Sequence, residues 1–299
     1  MSKIEVKTIE LPNGETMGYR QSGSGGKVLL LIHGNMTSSK HWDLVMSEFP
    51  PGYMIYAVDQ RGFGNSTYKR PIDSIGDMAG DIRLFADLLN LRDFTVAGWS
   101  LGGAVAMQFA SDYPTYLEKL ILIASVGIQG YVLFQKDEKG MPIPNRPLTT
   151  KQEIAADPVQ IAPILHAYQS GDKRFLRLLW DTLIYTHHQP SPEKYEEYLD
   201  DMLTQKNYVD VYHALSRFNL SHQHNGVVPG TGAVDRIIAP TLVLHGDRDK
   251  IIPPATASET AKAIGNNADL LILKECGHSP PIDDLNGLIS AMAGFIGHP

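Results

Sequence analysis

Short continuous runs of apolar residues recur along the chain, next to turn-forming or charged residues. Apolar runs of this length, without polar alternation, are typical of strands that are buried on both faces. A helical pattern over residues 104–110 closely follows one of these runs. The pattern therefore predicts buried strands at residues 27–32, 54–58, 93–97, 119–124, 241–246 and 269–273.

The series of strands is interrupted once. About a hundred residues separate strand 119–124 from strand 241–246, and structureless loops of that length are uncommon in compact domains. Pro142, Pro144 and Pro147 begin this stretch and predict an extended hinge or loop. Apolar positions then recur at helical spacing over residues 154–167, 173–185, 191–204 and 209–215. The sequence predicts a core of residues 1–126 and 237–299 and an inserted helical cap, or lid, of residues 127–236.

A candidate nucleophile lies between strand 93–97 and the helix that follows it. Here Gly98, Ser100 and Gly102 form the pattern G-x-S-x-G, which puts a serine on a sharp strand-to-helix turn. A serine hydroxyl becomes a useful nucleophile only when the fold directs it at a base. The alternative interpretation is a glycine-rich turn whose serine has no chemical role.

Loops near the end of the chain offer an acid and a base. Asp247 and Asp249 follow strand 241–246, and His278 follows Gly277 in a loop after strand 269–273. The order serine, acid, histidine is the one that α/β-hydrolases use. Either aspartate could orient the histidine, although a carboxylate in a turn also serves to hydrogen-bond nearby backbone.

These elements together resemble the α/β-hydrolase fold family. The family pattern G-x-x-D-x-x-x-P selects Asp249 over Asp247, and its H-G-x element at His33 and Gly34 implies that the N–H groups of Asn35 and Leu101 form an oxyanion hole. The resemblance covers residues 1–126 and 237–299. It implies an α/β fold with a mostly parallel central sheet, helices on both faces and an inserted helical cap.

Other residues in these loops are expected to be structural. His33 is interpreted as a support for its loop, and the segment 59–66 matches the family signature D-x-R-G-x-G-x-S without a chemical role. Cys276, two residues before His278, is interpreted as a small packed thiol. The histidine pairs at 187–188 and 222–224 lack an obvious set of carboxylate ligands, so no metal site is expected. No phosphate-binding or dinucleotide motif is present, and no cofactor is implied.

Charge and composition exclude several classes of partner. Lysine and arginine number 26 and aspartate and glutamate 33, which gives a net charge of −7. An acidic chain without basic runs has no nucleic-acid footprint. No apolar run approaches the ~20 residues of a membrane span, and the first residues lack the apolar stretch of a signal peptide. With a single cysteine, the chain is expected in the reducing cytoplasm. The sequence predicts no particular oligomeric state.

The motifs imply a serine esterase. His278 would take the proton of Ser100 as Ser100 attacks an ester carbonyl, with Asp249 orienting the imidazole. The strand-to-helix turn at residues 98–103, called the elbow below, is similar to that of intracellular polyhydroxybutyrate depolymerases of bacilli. The cap segments 180–187 and 200–205 and the segment 276–284 share this resemblance, which implies a 3-hydroxybutyrate polymer or oligomer as substrate. Residues 130–134 would then either contact a polymer granule or pack within the lid. The alternatives are a small-molecule carboxylesterase, an acyl-homoserine lactonase, or a non-catalytic ligand receptor on the same fold.

Overall fold

A central sheet of eight strands organises the protein, of which the computed structural model describes residues 3–297. The described residues form ten strands, eight of them in the central sheet. They are β1 (Glu5–Glu10), β2 (Thr16–Gly23), β3 (Lys27–Ile32), β4 (Tyr53–Val58), β5 (Phe94–Trp99), β6 (Leu117–Ile123), β7 (Phe134–Lys136), β8 (Pro142–Pro147), β9 (Thr241–Gly246) and β10 (Ala268–Leu273). Within the sheet their order is β1-β2-β4-β3-β5-β6-β9-β10, and β7 and β8 form a separate pair.

Most of the sheet is parallel. Strands β1, β2 and β4 pair antiparallel, and every pair from β4 to β10 is parallel. Parallel strands covered on both faces need apolar residues at successive positions, and β5 and β9 are buried at every residue. The six strands predicted from apolar runs are all present, with ends shifted by two residues at most. The antiparallel edge β1–β2 was not among the predicted strands.

Helices cover both faces of the sheet, as the family resemblance implies. Successive side chains of a strand point to opposite faces. Leu30 and Ile32 of β3 therefore belong to one hydrophobic cluster, and Leu29 and Leu31 belong to the other. The helices are α1 (Asp43–Glu48), α2 (Ile75–Leu88), α3 (Leu101–Asp112), α4 (Lys151–Ala155), α5 (Ala162–Ser170), α6 (Lys173–Leu183), α7 (Pro192–Met202), α8 (Tyr208–Arg217), α9 (Pro254–Ile264), α10 (Pro280–Asp283) and α11 (Leu285–Gly297).

Helices α2 and α3 pack in the first cluster, and α1 and α11 pack in the second. The second cluster continues into the segment between β6 and β9, because it includes Trp180 of α6 and Tyr195, Tyr198 and Leu199 of α7. Apolar packing thus holds α6 and α7 against the second face, whereas Val211, Ala214 and Leu215 of α8 belong to the first cluster. The boundaries of the cap at 127 and 236 stay a prediction.

The inserted segment departs from the sequence prediction at two places. The predicted helix 154–167 is wrong as one helix, because α4 ends at Ala155 and α5 begins at Ala162. Pro158 disfavours helical geometry at Asp157, whose Oδ1 instead accepts the N–H groups of Val159 and Gln160 at 3.1 and 2.5 Å. The proline-rich stretch expected to be an extended hinge or loop forms strand β8, which pairs with β7.

Candidate active site

Ser100 lies on a strained turn between β5 and α3. Its φ of 55° and ψ of −115° lie outside the common regions for a residue with a side chain. The two flanking glycines make the turn possible, because a Cβ on Gly98 would lie 2.2 Å from the Gly102 oxygen, and one on Gly102 would lie 2.2 Å from the Ile32 oxygen. The elbow predicted from G-x-S-x-G is therefore present in the structure, with the hydroxyl exposed to a cavity.

The structure brings the three residues predicted to act together into a hydrogen-bonded chain. His278 Nε2 lies 3.0 Å from Ser100 Oγ, and His278 Nδ1 lies 2.7 Å from Asp249 Oδ2. These contacts join loops that are 178 and 29 residues apart in the sequence. Asp247 lies outside this chain: its Oδ1 accepts the N–H of Cys276 at 3.4 Å, which is the turn-forming role considered for it.

Asp249 is held in its ionised form. Its Oδ1 accepts the N–H groups of Ile251 and Ile252 at 2.8 and 2.9 Å. Burial alone would raise the pKa of this carboxyl, but the charge of His278 and the hydrogen bonds from His245, His278 and the Ile252 amide together lower the pKa well below its usual range. Asp249 can therefore orient the His278 ring and stabilise its protonated form.

His245 is a neighbour of this acid that the sequence reasoning missed. It is the next-to-last residue of β9 and is fully buried. Its Nε2 lies 3.1 Å from Asp249 Oδ2 and 2.9 Å from the Ile252 oxygen. The only local signal is its place four residues before Asp249, where a strand gives way to a loop. The structure makes His245 part of the support around the acid.

The loop that carries His278 is fixed at several points. Trp99, which directly precedes Ser100, donates its indole N–H to the His278 oxygen at 2.8 Å. Asp283 accepts the Gly277 N–H at 2.8 Å and the His188 N–H at 3.1 Å, so it also joins this loop to the cap. Cys276 is buried, and burial raises the pKa of its thiol well above the usual value, in keeping with a packed role.

The two predicted oxyanion donors flank Ser100. Leu101 is the first residue of α3, and Asn35 follows Gly34, whose added Cβ would lie 3.3 Å from Ser100 Cβ. Within residues 3–297 neither the Asn35 nor the Leu101 amide N–H has a hydrogen-bond acceptor in the protein. Two free amides beside the hydroxyl, one of them at a helix N-terminus, are suited to a developing negative charge.

Residues 34–36, which include the proposed donor Asn35, are called the oxyanion loop. His33 and the loop 59–66 support the oxyanion loop and make no hydrogen bond to Ser100 among the described residues. His33 is fully buried, and its Nε2 accepts the Gln60 N–H at 3.0 Å. Burial lowers the pKa of His33 to about 4, which keeps the ring neutral. Asp59 accepts the N–H groups of Ser39 and Asn65, both at 2.8 Å. These contacts give both elements the structural roles expected of them.

A cavity of about 350 Å³ opens above Ser100 between the core and the cap. Its walls are mainly aliphatic and aromatic, and no lysine, arginine, aspartate or glutamate of the part described by the structure lines it. The lining residues are Gly34, Asn35, Met36, Trp99, Ser100, Leu101, Val126, Tyr131, Val159, Gln160, Ile164, Phe175, Leu179, Trp180, Leu183, Ile184, Tyr208, Tyr212, Leu215, Ile251, Ile252 and His278. An apolar pocket of this size with a few convergent polar groups suits a small organic ligand.

No group of three or more histidine, cysteine, aspartate or glutamate side chains among residues 3–297 could hold a metal ion. Two of the paired histidines instead contact single side chains: His222 Nε2 is 3.0 Å from Asp235 Oδ1 at the surface, and His187 Nδ1 is 2.9 Å from Thr186 Oγ1.

Among residues 3–297, every helix is too short or too polar to cross a bilayer.

Known proteins share this architecture. A family model described as the alpha/beta hydrolase fold matches residues 27–285. An uncharacterised protein of Mycobacterium tuberculosis is 34% identical over 125 residues, or 42% of this chain and 36% of that protein, so the chain matches about a third of that relative's length. Lipase 1 of Psychrobacter immobilis is 25% identical over 95% of this chain and 82% of the lipase.

Among solved structures, a putative lipase from Acinetobacter baumannii superposes with a TM-score of 0.75 and 23% identity, over 98% of this chain and 91% of the lipase. At that identity the likeness concerns the fold alone. The fold agrees with the family model, and the model spans far more than half of the sequence. The chain therefore belongs to the α/β-hydrolase fold family.

Proposed function

We propose that this protein hydrolyses carboxylic esters through an acyl-enzyme formed on Ser100. The observation that carries the proposal is the continuous contact from Ser100 Oγ to His278 Nε2 (3.0 Å) and from His278 Nδ1 to Asp249 Oδ2 (2.7 Å), next to two amides that have no acceptor among the described residues. Nucleophile, base, orienting acid and oxyanion donors are the parts that acyl transfer to serine requires.

The reaction follows from these positions. Ser100 Oγ attacks the ester carbonyl carbon while its proton passes to His278 Nε2, and the carbonyl oxygen becomes an oxyanion held by the Asn35 and Leu101 amides. Collapse of this intermediate expels the alkoxide, which takes the proton from His278 and leaves as the alcohol. Water then attacks the acyl-enzyme with His278 as base, which releases the acid and restores Ser100.

The pocket favours an uncharged substrate with an apolar acyl group. A carboxylate or ammonium in this cavity would lose its hydration without a counter-charge, because no charged side chain of residues 3–297 lines the walls apart from the titratable His278. Substrates with a second carboxylate are therefore disfavoured. The lipases among the relatives are consistent with ester hydrolysis of neutral acyl chains.

Within this class we propose poly(3-hydroxybutyrate) or its oligomers as the natural substrate, on the resemblance of the elbow and the loop around His278. One feature of the pocket supports this choice. Tyr131, Tyr208, Tyr212 and Gln160 bring polar groups to an otherwise apolar wall, and a polyester chain presents an ester carbonyl at regular intervals along its length. A carboxylesterase for small esters and an acyl-homoserine lactonase are the alternatives with the same chemistry.

A role at a polymer granule in the cytoplasm belongs to the same proposal. Residues 130–134, considered as a contact surface, are partly packed: Leu133 is 2% exposed, and Tyr131 lines the pocket. The burial of these side chains favours packing within the lid over a granule contact. The single free cysteine, Cys276, is compatible with a reducing compartment.

The test compares substrates side by side with one purified protein. We expect release of nitrophenol from p-nitrophenyl esters, labelling of Ser100 by a fluorophosphonate, and clearing of an amorphous poly(3-hydroxybutyrate) suspension. The Ser100→Ala protein is the blank for every substrate. Esterase activity that leaves the polymer turbid would replace the depolymerase by a carboxylesterase, and rapid opening of an acyl-homoserine lactone would favour the lactonase. A folded protein that binds esters without turnover would instead indicate a receptor.

A further inference from the structure

A short segment from the end of α7 to the residue before α8, residues 201–207, packs directly on the loops beside the active site. We call it the cap strut. The Ser38 hydroxyl donates to Asp201 Oδ1 at 2.6 Å, and Thr204 Oγ1 accepts the Gly64 N–H at 2.9 Å. Further along, Asn207 Nδ2 donates to the Arg61 oxygen at 2.6 Å. The cap strut thus packs on the loop 59–66, to which no chemical role is assigned.

Gln205, at the centre of the cap strut, uses all the hydrogen-bonding capacity of its amide. Its Oε1 accepts the Met36 N–H and the Tyr168 hydroxyl, both at 3.1 Å. Its Nε2 donates to Asn35 Oδ1 at 2.8 Å and to Asn207 Oδ1 at 2.9 Å. Two donors on one side and two acceptors on the other fix the orientation of the amide, and the side chain is buried at 7% exposure.

Two of these partners belong to the oxyanion loop. Asn35 is the proposed oxyanion donor, and Gln205 donates a hydrogen bond to the Asn35 side chain. Gln205 also accepts a hydrogen bond from the N–H of the following residue, Met36. Met36 has a φ of 60°, which is costly for a residue with a long side chain and persists only where surrounding contacts hold it. These contacts fix the residues on which the direction of the Asn35 amide depends.

We infer that Gln205 is a positioning residue of the oxyanion hole, a role that rests on the proposed function and makes cap docking a condition for catalysis. The cap supplies this residue from 169 positions further along the chain than Met36. The cap strut also leads into α8, which carries the pocket residues Tyr208 and Tyr212. The contacts to the oxyanion loop and the pocket wall therefore come from nearby residues of the cap, Gln205 and Tyr208.

The test is Gln205→Met, which keeps the length of the side chain and removes all four hydrogen bonds. Loss of one oxyanion donor lowers kcat by about 100- to 1000-fold, so a misaligned donor should lower kcat on p-nitrophenyl butyrate by about 10- to 100-fold. KM should stay within about twofold, because the donor acts mainly on the transition state. Inhibition by phenylboronic acid, whose serine adduct is tetrahedral, should weaken in parallel with kcat.

Thr204→Val is the matched control in the same segment. It removes the hydrogen bonds of Thr204 Oγ1 with the Gly64 N–H and the Asp201 oxygen, and it removes none of the hydrogen bonds made by Gln205. If the cap strut only stabilises the fold, both variants should lower the unfolding midpoint and neither should selectively change kcat or boronate inhibition. If Gln205 positions the oxyanion loop, only Gln205→Met should change kcat and boronate inhibition.

A kcat for Gln205→Met within twofold of the wild type, or an equal kcat loss in Thr204→Val, would overturn the inference. Should Gln205→Met fail to fold, Gln205→Glu takes its place: it retains the acceptor for Met36 and Tyr168 and sets a carboxylate oxygen against Asn35 Oδ1. The same kcat loss is expected. Activity that survives in Ser100→Ala would contradict the proposed function itself, whereas a Ser100-dependent esterase unaffected by Gln205 changes would contradict only this inference.

Discussion

The core and the cap meet at one pocket but are built in different ways. In the core, the loops that carry Ser100 and Asp249 each follow a buried parallel strand, and their positions are fixed by main-chain hydrogen bonds and close backbone approach. In the cap, short helices pack mainly through apolar and aromatic side chains, among them Trp180, Tyr195 and Tyr198. On the proposed function, the core determines the reaction and the cap determines which substrates enter the pocket.

The largest expected effect tests the core. Ser100→Ala should lower kcat by about 10⁴-fold or more, because only substrate binding and the oxyanion donors remain. The unfolding midpoint should stay at or above that of the wild type, since alanine removes only one oxygen from a strained turn. Stopped assays with enzyme in excess, together with circular dichroism, measure both quantities. Retained hydrolysis in the folded variant would move the chemistry to another residue.

A second change in the core distinguishes two aspartates. Asp249→Asn should lower kcat by about 10³- to 10⁴-fold, because an amide at this position no longer favours the productive His278 tautomer. Asp247→Asn is the matched control, and its effect on kcat should be less than about tenfold, since Asp247 contacts the Cys276 N–H and the exposed Lys274 and not His278. The opposite ranking would show that the acid is Asp247.

A change in the cap should alter selectivity more than rate. Leu179→Trp adds volume to the pocket wall, and we expect kcat/KM for p-nitrophenyl octanoate to fall about tenfold more than for the acetate, in line with the 1–3 kcal/mol that one buried group contributes to discrimination. Leu178→Trp, on the exposed face of the same helix, is the control. Equal losses on both esters would mean that the acyl chain does not lie against α6.

The smallest expected effect concerns the pH dependence of the free energy of unfolding, which we compare at His33 in the core and at His41 under the cap. A histidine whose pKa is lowered on folding binds its proton more readily when unfolded, so its contribution to stability is complete above the unfolded pKa and is lost as the pH falls. For His33 the window runs from about 6.5 down to about 4, with a slope of about 1.4 kcal/mol per pH unit. Urea unfolding at several pH values should show that His33→Gln reduces this slope.

His41, under the cap, provides the comparison for the same measurement. It is fully buried, stacked 4.0 Å from the Tyr198 ring, and its pKa is also lowered, chiefly by burial. His41→Gln should likewise reduce the slope below pH 6.5, and if the cap detaches before the core unfolds, the effect should be on the first unfolding transition alone. A wild-type slope retained in both variants would show that other groups control acid stability.

The parts of the molecule that local sequence determines were predicted well. The apolar runs predict the six strands that pair in parallel, β3, β4, β5, β6, β9 and β10. The turn at Ser100 follows from Gly98 and Gly102, where the structure has no room for a side chain. The fold class is confirmed by the structure and the family model. The structure also joins Ser100, Asp249 and His278 by hydrogen bonds, while their catalytic roles stay proposals.

Residues whose importance depends on distant contacts were missed. Gln205 is an ordinary polar residue in a cap loop, and only its contacts with Asn35 and Met36, far away in the chain, distinguish it. Asp283 likewise gains its meaning from Gly277 and the cap. The break at Pro158 has a local signal, the proline itself, and this signal outweighs the helical periodicity of residues 154–167.

The indole N–H of Trp99 joins the loop that carries Ser100 to the loop that carries His278 through one hydrogen bond. Because Trp99, the last residue of β5, precedes Ser100 and also donates to the oxygen of His278, we expect a small shift at the end of β5 to move Ser100 and His278 in the same direction. The distance between Ser100 Oγ and His278 Nε2 should then vary less than the position of either atom. A rearrangement of the cap that left this hydrogen bond intact would change the pocket wall without separating the two side chains.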